Sequence, residues 1–319
     1  MERIRKFYQN IRLFLQKLYN RTPQTTYIEF SDFFRSEKLT NLFGFNILPR
    51  DIPLEGYKWR RTFFGLSMVN MALFLILNIA SIVTGLVQGG SFLVCVENVT
   101  VGCIMSLILI KGFTIVYWHR ERFVKIVEQL RKHYPHDAWN QHVFRAPRHL
   151  KTLKICGTIC AVLCLTAMVE FVSMPFLIKL YGAIFSQETK WELIIQLQLP
   201  VDTAMPVTYA ILYFINALAL IVGTFTVLMT DLLFAELFAI TNMELMALGW
   251  LISEIDPLEG QDEAIDELKK LCEAHQELTV ISEELRDIFS SLLFIDCFGM
   301  MISMCCTAFL TLVIFKRLF

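Results

Sequence analysis

With 319 residues, 55% of them hydrophobic and only 18% charged, the chain falls outside the range of soluble domains, which carry roughly 45 to 50% apolar and about 25% charged residues. Its mean hydropathy is +0.52, its net charge is −1, and its charges are bunched between apolar runs, so lipid is the solvent for most of it. The composition predicts an all-α fold, a polytopic transmembrane helical bundle within the bilayer, and nothing in it points to nucleic acid.

The N-terminal stretch MERIRKFYQNIRLFLQKLYNR repeatedly places Arg and Lys where a signal peptide needs an unbroken apolar run. Residues 1–61 are therefore expected to stay in the cytosol as an N-terminal segment. Between Arg61 and Glu97 lie 35 residues without a charge, interrupted by Gln88-Gly89-Gly90-Ser91. One span needs only about 20 residues, so the glycine pair marks a tight turn between two. The first span is placed at about 62 to 86 and the second at about 92 to 117, with Glu97 and Lys111 near its two ends. A third span covers about 153 to 178 and contains Glu170; the fourth begins at about 203, with residues 203–230 free of charge. The transmembrane region of four helices is bounded at 62–231, and the fifth span begins at 292, its core running to about 315 against Lys316-Arg317, within a last segment of 292–319.

Lys and Arg set the orientation. They number 12 before the first span, none in the first turn, eight in 118–152, two in 179–202, three in 232–290 and two after the fifth span. A cytosolic N-terminus puts 23 of them inside and four outside. The segment 232–291 between the fourth and fifth spans is read as a cytosolic, acidic, helical extension, with 14 acidic residues in 232–290. Within it Leu268, Leu271, Leu278, Ile281, Leu285, Ile288 and Leu292 recur at helical spacing as one seam, with His275 inside it. Such a seam either caps its own bundle or receives another subunit.

No Gly-rich phosphate loop, Cys-x-x-Cys, His-Glu-x-x-His or Gly-x-Ser-x-Gly is present, which argues against an enzyme. No cofactor and no metal site is expected: the row Cys156, Cys160, Cys164 has no His or carboxylate beside it, and His133 and His136 sit in a basic loop. Asn98-Val99-Thr100 matches a glycosylation sequon inside the second span, where it is expected to go unused. Ionisable groups in a span must face protein, water or a partner, so Glu97, Lys111 and Glu170 are functional candidates or packing glue. Thr166, Glu170 and Ser173 share a face of the third span that is expected to look into the bundle, and Tyr209, Tyr213 and Asn216 share one on the fourth.

At this point the chain resembles the insect odorant receptors, a seven-helix family with a cytosolic N-terminus. The likeness rests on Leu42-Phe43-Gly44-Phe45-Asn46-Ile47-Leu48-Pro49, which is similar to the family's Gly-x-x-x-x-Pro before the first helix. It rests also on Lys111-Gly112-Phe113 followed by the basic amphipathic stretch around Phe123, Ile126 and Leu130, and on Asp231-Leu232-Leu233-Phe234. The last part is His275-Gln276, Glu284-Leu285 and Phe289-Ser290, then Cys305-Cys306 and Phe309. Family members continue through sixth and seventh helices, so the resemblance implies a chain truncated after its fifth helix at Phe319.

The resemblance implies an odorant-gated, non-selective cation channel subunit of the olfactory-neuron plasma membrane, assembled with a shared co-receptor as a hetero-tetramer. Its ligand would be a small, volatile, mostly apolar odorant. Depth and helical facing, with the family's pocket location, nominate Phe171, Val172 and Phe176 on the third span and Tyr209 and Tyr213 on the fourth, with Val94 and Glu97 at the rim. Leu271, His275, Leu278 and Leu285 are the candidate subunit interface. A gustatory receptor of the same superfamily is the alternative. A G-protein-coupled receptor is opposed by the orientation and by the absence of Asp-Arg-Tyr after the third span, a transporter by the absence of an internal repeat.

Overall fold

The computed structural model describes residues 27–36, 41, 55–89, 92–135, 140–141, 144–184, 206–255 and 261–318. Among these there is no strand, as the bilayer requires of a chain that is not a barrel, since helices alone satisfy every backbone polar group within one segment. Six long helices carry the fold: α1 (Glu55–Val87), α2 (Phe92–Phe113), α3 (Arg120–His133), α4 (Ala146–Ile184), α5 (Pro206–Glu254) and α6 (Gln261–Leu318). All but α3 contain a stretch long and apolar enough to cross a membrane, in agreement with the five expected spans.

After α1 the chain turns at Gln88 and Gly89. Gly89 takes a positive φ of 67°, which a side chain would resist, and Gln88 N–H closes on Thr84 C=O at 2.9 Å. Helix lengths depart from the expectation in an instructive way. At about 1.5 Å per residue, the 49 residues of α5 and the 58 of α6 are each more than twice as long as a hydrocarbon core is thick, about 30 Å. The acidic extension is thus no separate element. Residues 232–254 continue α5 without a break, and the amphipathic stretch of 263–290 runs directly into the fifth span. No proline and no glycine interrupts α6 from Gln261 to Phe298, so nothing in the backbone chemistry stops it.

The largest core cluster lies in the half of the bundle carrying α3. Phe123, Ile126, Val127 and Leu130 of α3 are essentially inaccessible and meet Leu233, Leu237, Ile240 and Met243 of α5 and Leu278, Ile281 and Ile288 of α6. The basic amphipathic stretch after the second span is thereby explained: its apolar side is a core face, and Arg122, Lys125, Arg131 and Lys132 face outward. A short 3-10 turn, Phe30–Phe33, adds Phe30 and Phe33 to the same core. Two smaller clusters join α1, α2 and α5 within the apolar spans. There the helices close on Gly112, where an added Cβ would meet Met68 Sδ of α1 at 3.1 Å and Thr226 Cγ2 of α5 at 3.2 Å.

One expectation about α4 is corrected. Thr166 and Glu170 are exposed rather than turned into the bundle, and the Thr166 and Ser173 hydroxyls donate to the carbonyls of Val162 and Glu170 on their own helix. The reason is packing: α4 leans on α5 along a narrow strip that buries Gly157, Pro175 and Gly182, which leaves most of its circumference open. All nine cysteines are free thiols, and Cys95 is buried. Asn98 of the sequon is buried too, its amide donating to Ser81 Oγ across α1 and α2 at 3.4 Å.

Candidate functional site

Four of the residues nominated for ligand contact come together between α4 and α5. Tyr213 donates its hydroxyl to the Val172 carbonyl, the Phe176 ring stands edge-on to Tyr213 with centroids 5.0 Å apart, and Tyr209 lies 5.8 Å from Tyr213 at a shallow tilt. One helical turn separates Tyr209 from Tyr213, so α5 presents both rings on one face. Tyr209 is buried and Tyr213 half-buried, whereas Phe176 is 50% exposed. The cluster is therefore an apolar wall with the Tyr213 phenol engaged on the Val172 carbonyl and one side open. Such a wall suits a small molecule with an aromatic or aliphatic body.

The remaining nominated residues stand apart. Phe171 is exposed on α4, and Val94 and Glu97 are exposed near the start of α2. Asn216, on the Tyr209 and Tyr213 face, is fully buried and donates to the Leu212 carbonyl at 2.9 Å. Of the interface candidates, Leu278 and Leu285 are buried in the chain's own core and Leu271 packs against it half-buried, so the seam caps its own bundle; His275 is exposed.

A second polar centre is an ion cluster where α2, α5 and α6 meet, with Lys111 buried and Asp231 on its exposed side. Lys111 of α2 is buried and places Nζ 2.7 Å from Asp231 Oδ1 of α5 and 2.6 Å from Asp296 Oδ2 of α6. Burying an ammonium in lipid is costly, and the two carboxylates answer it. Lys111 and Asp231 were each visible in the sequence, but not their contact. Asp296 was missed because a single acid near the start of a span reads as an end group.

The other polar contacts tie the loops to α5. Glu236 accepts from Arg35 N–H at 2.7 Å, from Ser36 N–H at 2.9 Å and from the Ser36 hydroxyl. Arg35 also reaches α4, donating from Nη1 to the Lys154 carbonyl at 3.0 Å and to Thr158 Oγ1 at 3.1 Å. Tyr134 donates to the Ile28 carbonyl at 2.9 Å, and burial among acidic neighbours pushes its phenol above its ordinary range. A groove of about 380 Å³ opens between α5 and α6, lined by Phe234, Phe238, Leu285, Phe289 and Leu293 with Arg286. It sits toward the opposite end of α5 from the tyrosines. Among the described residues no group of His, Cys, Asp or Glu is arranged to hold a metal ion. The Gly-x-x-x-x-Pro stretch at Gly44 to Pro49 lies outside the described residues.

Comparison with known proteins now bears on this geometry. A family model described as the 7tm Odorant receptor matches residues 91–318. Two solved structures of the insect olfactory receptor OR5 from Machilis hrabei share the architecture. The one in complex with eugenol gives a TM-score of 0.68 at 13% identity, covering 87% of this chain and 69% of its own. The other gives 0.63 at 15% identity, covering 86% and 70%. No curated protein matches the sequence.

Proposed function

This chain belongs to the 7tm odorant receptor family, and on that premise we propose that it is an odorant-gated, non-selective cation channel subunit acting with a co-receptor in a hetero-tetramer. It is an odorant receptor and a multi-pass membrane protein, of a receptor class rather than an enzyme class. The proposal extends this to ion conduction, to a cytosolic N-terminus and to the plasma membrane of an olfactory neuron. The similar Machilis receptor in complex with eugenol supports a small, mostly apolar ligand here as well.

The observation that carries the recognition reading is the cluster of Phe176, Tyr213 and Tyr209 between α4 and α5. The odorant would lie against the open side of these rings, with Phe171 and Val172 beside it and Val94 or Glu97 toward the rim. Gating then requires that this surface bind the ligand more tightly in the open state than in the closed one. Leu271 and His275 remain available to a neighbouring subunit, because neither is fully buried by the chain's own core.

The test is a panel of dose-response curves, with eugenol among the odorants, in cells that express the chain with the co-receptor. Surface expression is matched. Tyr209→Ala and Phe176→Ala are expected to shift potencies by about tenfold or more, in an odorant-dependent way, because an apolar pocket discriminates by about 1 to 3 kcal/mol per group. Unchanged potencies for both variants would place the binding surface elsewhere. The orientation is checked separately with an epitope tag before Met1, which should stain only after permeabilisation.

A further inference from the structure

The two halves of α6 are fastened in different ways. From Leu278 to Leu292 the helix is set into the main core, with Leu278, Ile281 and Ile288 almost completely buried. Beyond Leu292 most of its large side chains are exposed, among them Phe294, Phe298, Met301 and Met304. This upper half packs closely along α2, with Leu107 against Gly299, Phe92 edge-on to Phe309, and the ion contact of Asp296 with Lys111 among the points that join them. Asp296 sits where the buried half gives way to the open one.

The cluster also has an unequal count of charge, one ammonium against two carboxylates. Drawing one carboxylate away leaves a neutral ion pair behind, which a low-dielectric interior tolerates better than an isolated charge. Asp231 is the arm that stays. It belongs to α5, which closes on α2 at Gly112 so tightly that Thr226 would touch an added Cβ. Lys111 itself lies in the last turn of α2, immediately before a five-residue π-helical segment, Thr114–Trp118. Insertions of this kind are rare and concentrate where a helix has to adjust.

We propose that Lys111, Asp231 and Asp296 form a charge clasp that holds the outer half of α6 against α2 and α5 in the resting receptor, with Asp296 as the arm that lets go. The buried half of α6 is the pivot, and release of Asp296 frees the half beyond it to swing from α2. The inference goes beyond the assignment of odorant recognition, and rests on the channel reading only for the consequence of release.

Two native thiols report on the movement. Cys103 of α2 and Cys306 of α6 lie on the stretch where these helices pack, between the Leu107–Gly299 and Phe92–Phe309 contacts, and Cys306 is beyond Asp296 on the moving side. In membranes of cells expressing the full chain, a short bifunctional thiol reagent should link them; mapping after proteolysis identifies the link, and Cys103→Ser abolishes it. Asp296→Asn is expected to slow this cross-linking by at least about fivefold, the lower end of ordinary coupling effects. The exchange Lys111→Asp with Asp296→Lys and Asp231→Lys restores opposite charges and should restore the rate, and Asp296→Glu should retain most of it. Each variant is compared only at wild-type monodispersity in detergent, and Asp296→Glu keeps the test open should the exchange fail to fold. Unchanged cross-linking in Asp296→Asn overturns the clasp, as does loss of cross-linking in Asp296→Glu as severe as in Asp296→Asn. In the second arm, current without odorant is recorded from cells that also express the co-receptor. Asp296→Asn should raise it, and a normal resting current despite slowed cross-linking overturns the resting-state role. If the unmodified chain gives no odorant response at all, the channel reading fails while the cross-linking arm still decides the clasp.

Discussion

Removing the Glu236 carboxylate should release the segment around Arg35 from α5. The carboxylate is buried, with Oε1 taking both backbone N–H groups of Arg35 and Ser36 while Oε2 takes the Ser36 hydroxyl. Hydrogen bonds to a charged acceptor are worth about 1.5 to 3 kcal/mol each, but the cost of keeping a carboxylate out of water offsets part of the sum. For Glu236→Ala, a net loss of about 2 to 4 kcal/mol follows, because two backbone donors lose their partner. Glu236→Gln behaves differently. Its amide oxygen can replace Oε1, its amide nitrogen can donate to a reoriented Ser36 hydroxyl, and the buried charge disappears, so the change should stay within about 1 kcal/mol.

Trypsin gives a local assay, since it cuts after Arg35, whose side chain is otherwise held by Lys154 and Thr158. When cleavage follows a rapid opening equilibrium, 2 to 4 kcal/mol corresponds to about 30- to 700-fold faster cutting at this bond. The measurement is the rate of appearance of the new terminus at Ser36 in native membranes, for wild type, Glu236→Ala and Glu236→Gln. Equal rates for wild type and Glu236→Ala, or a glutamine variant as fast as the alanine one, would refute the reasoning.

Tyr134→Phe should cost about 0.5 to 1.5 kcal/mol through the lost bond to the Ile28 carbonyl. Because burial raises the phenol's pKa above 10 in the folded state, the stability it contributes is complete below its unfolded value and is lost as pH rises beyond it. Thermal melts in detergent should therefore fall more steeply above about pH 10 for wild type than for Tyr134→Phe, and parallel curves would count against it. Asn78 of α1 is completely buried against Gly102 of α2, with neither amide atom hydrogen-bonded among the described residues. Asn78→Leu should raise the melting temperature, since relieving an unsatisfied buried amide is worth about 1 to 3 kcal/mol. A lowered melting temperature would show that a bound water or ligand satisfies that amide in the receptor.

Much of the fold was readable because it depends on local properties. A bilayer asks of each span only length and apolarity, so the five spans, the turn at Gln88 and Gly89 and the amphipathic α3 follow from residues close in sequence. The aromatic face of Tyr209 and Tyr213 was legible for the same reason, being one turn of one helix. Periodicity could tell neither where the seam of α6 would be buried nor which way the polar stripe of α4 would turn. Those depend on helix azimuth, which is decided by the surfaces of the neighbours. In the structure Leu278 and Leu285 go into the chain's own core, while Glu170 faces outward.

The sharpest division concerns the charges. By itself the sequence determined that Lys111 is surrounded by apolar residues and so must find a partner, because an unpaired ammonium in lipid is too costly to persist. Which partner it finds is a matter of register between helices: Asp231 is 120 residues away, and Asp296 is on a third helix. The same holds for Glu236 and Ser36, 200 residues apart. Only the packing of α2, α5 and α6 around small contacts such as Gly112 sets the depth at which each carboxylate meets its donor. A separation of a few ångströms, on which the whole electrostatic balance turns, is written in no single stretch of the chain.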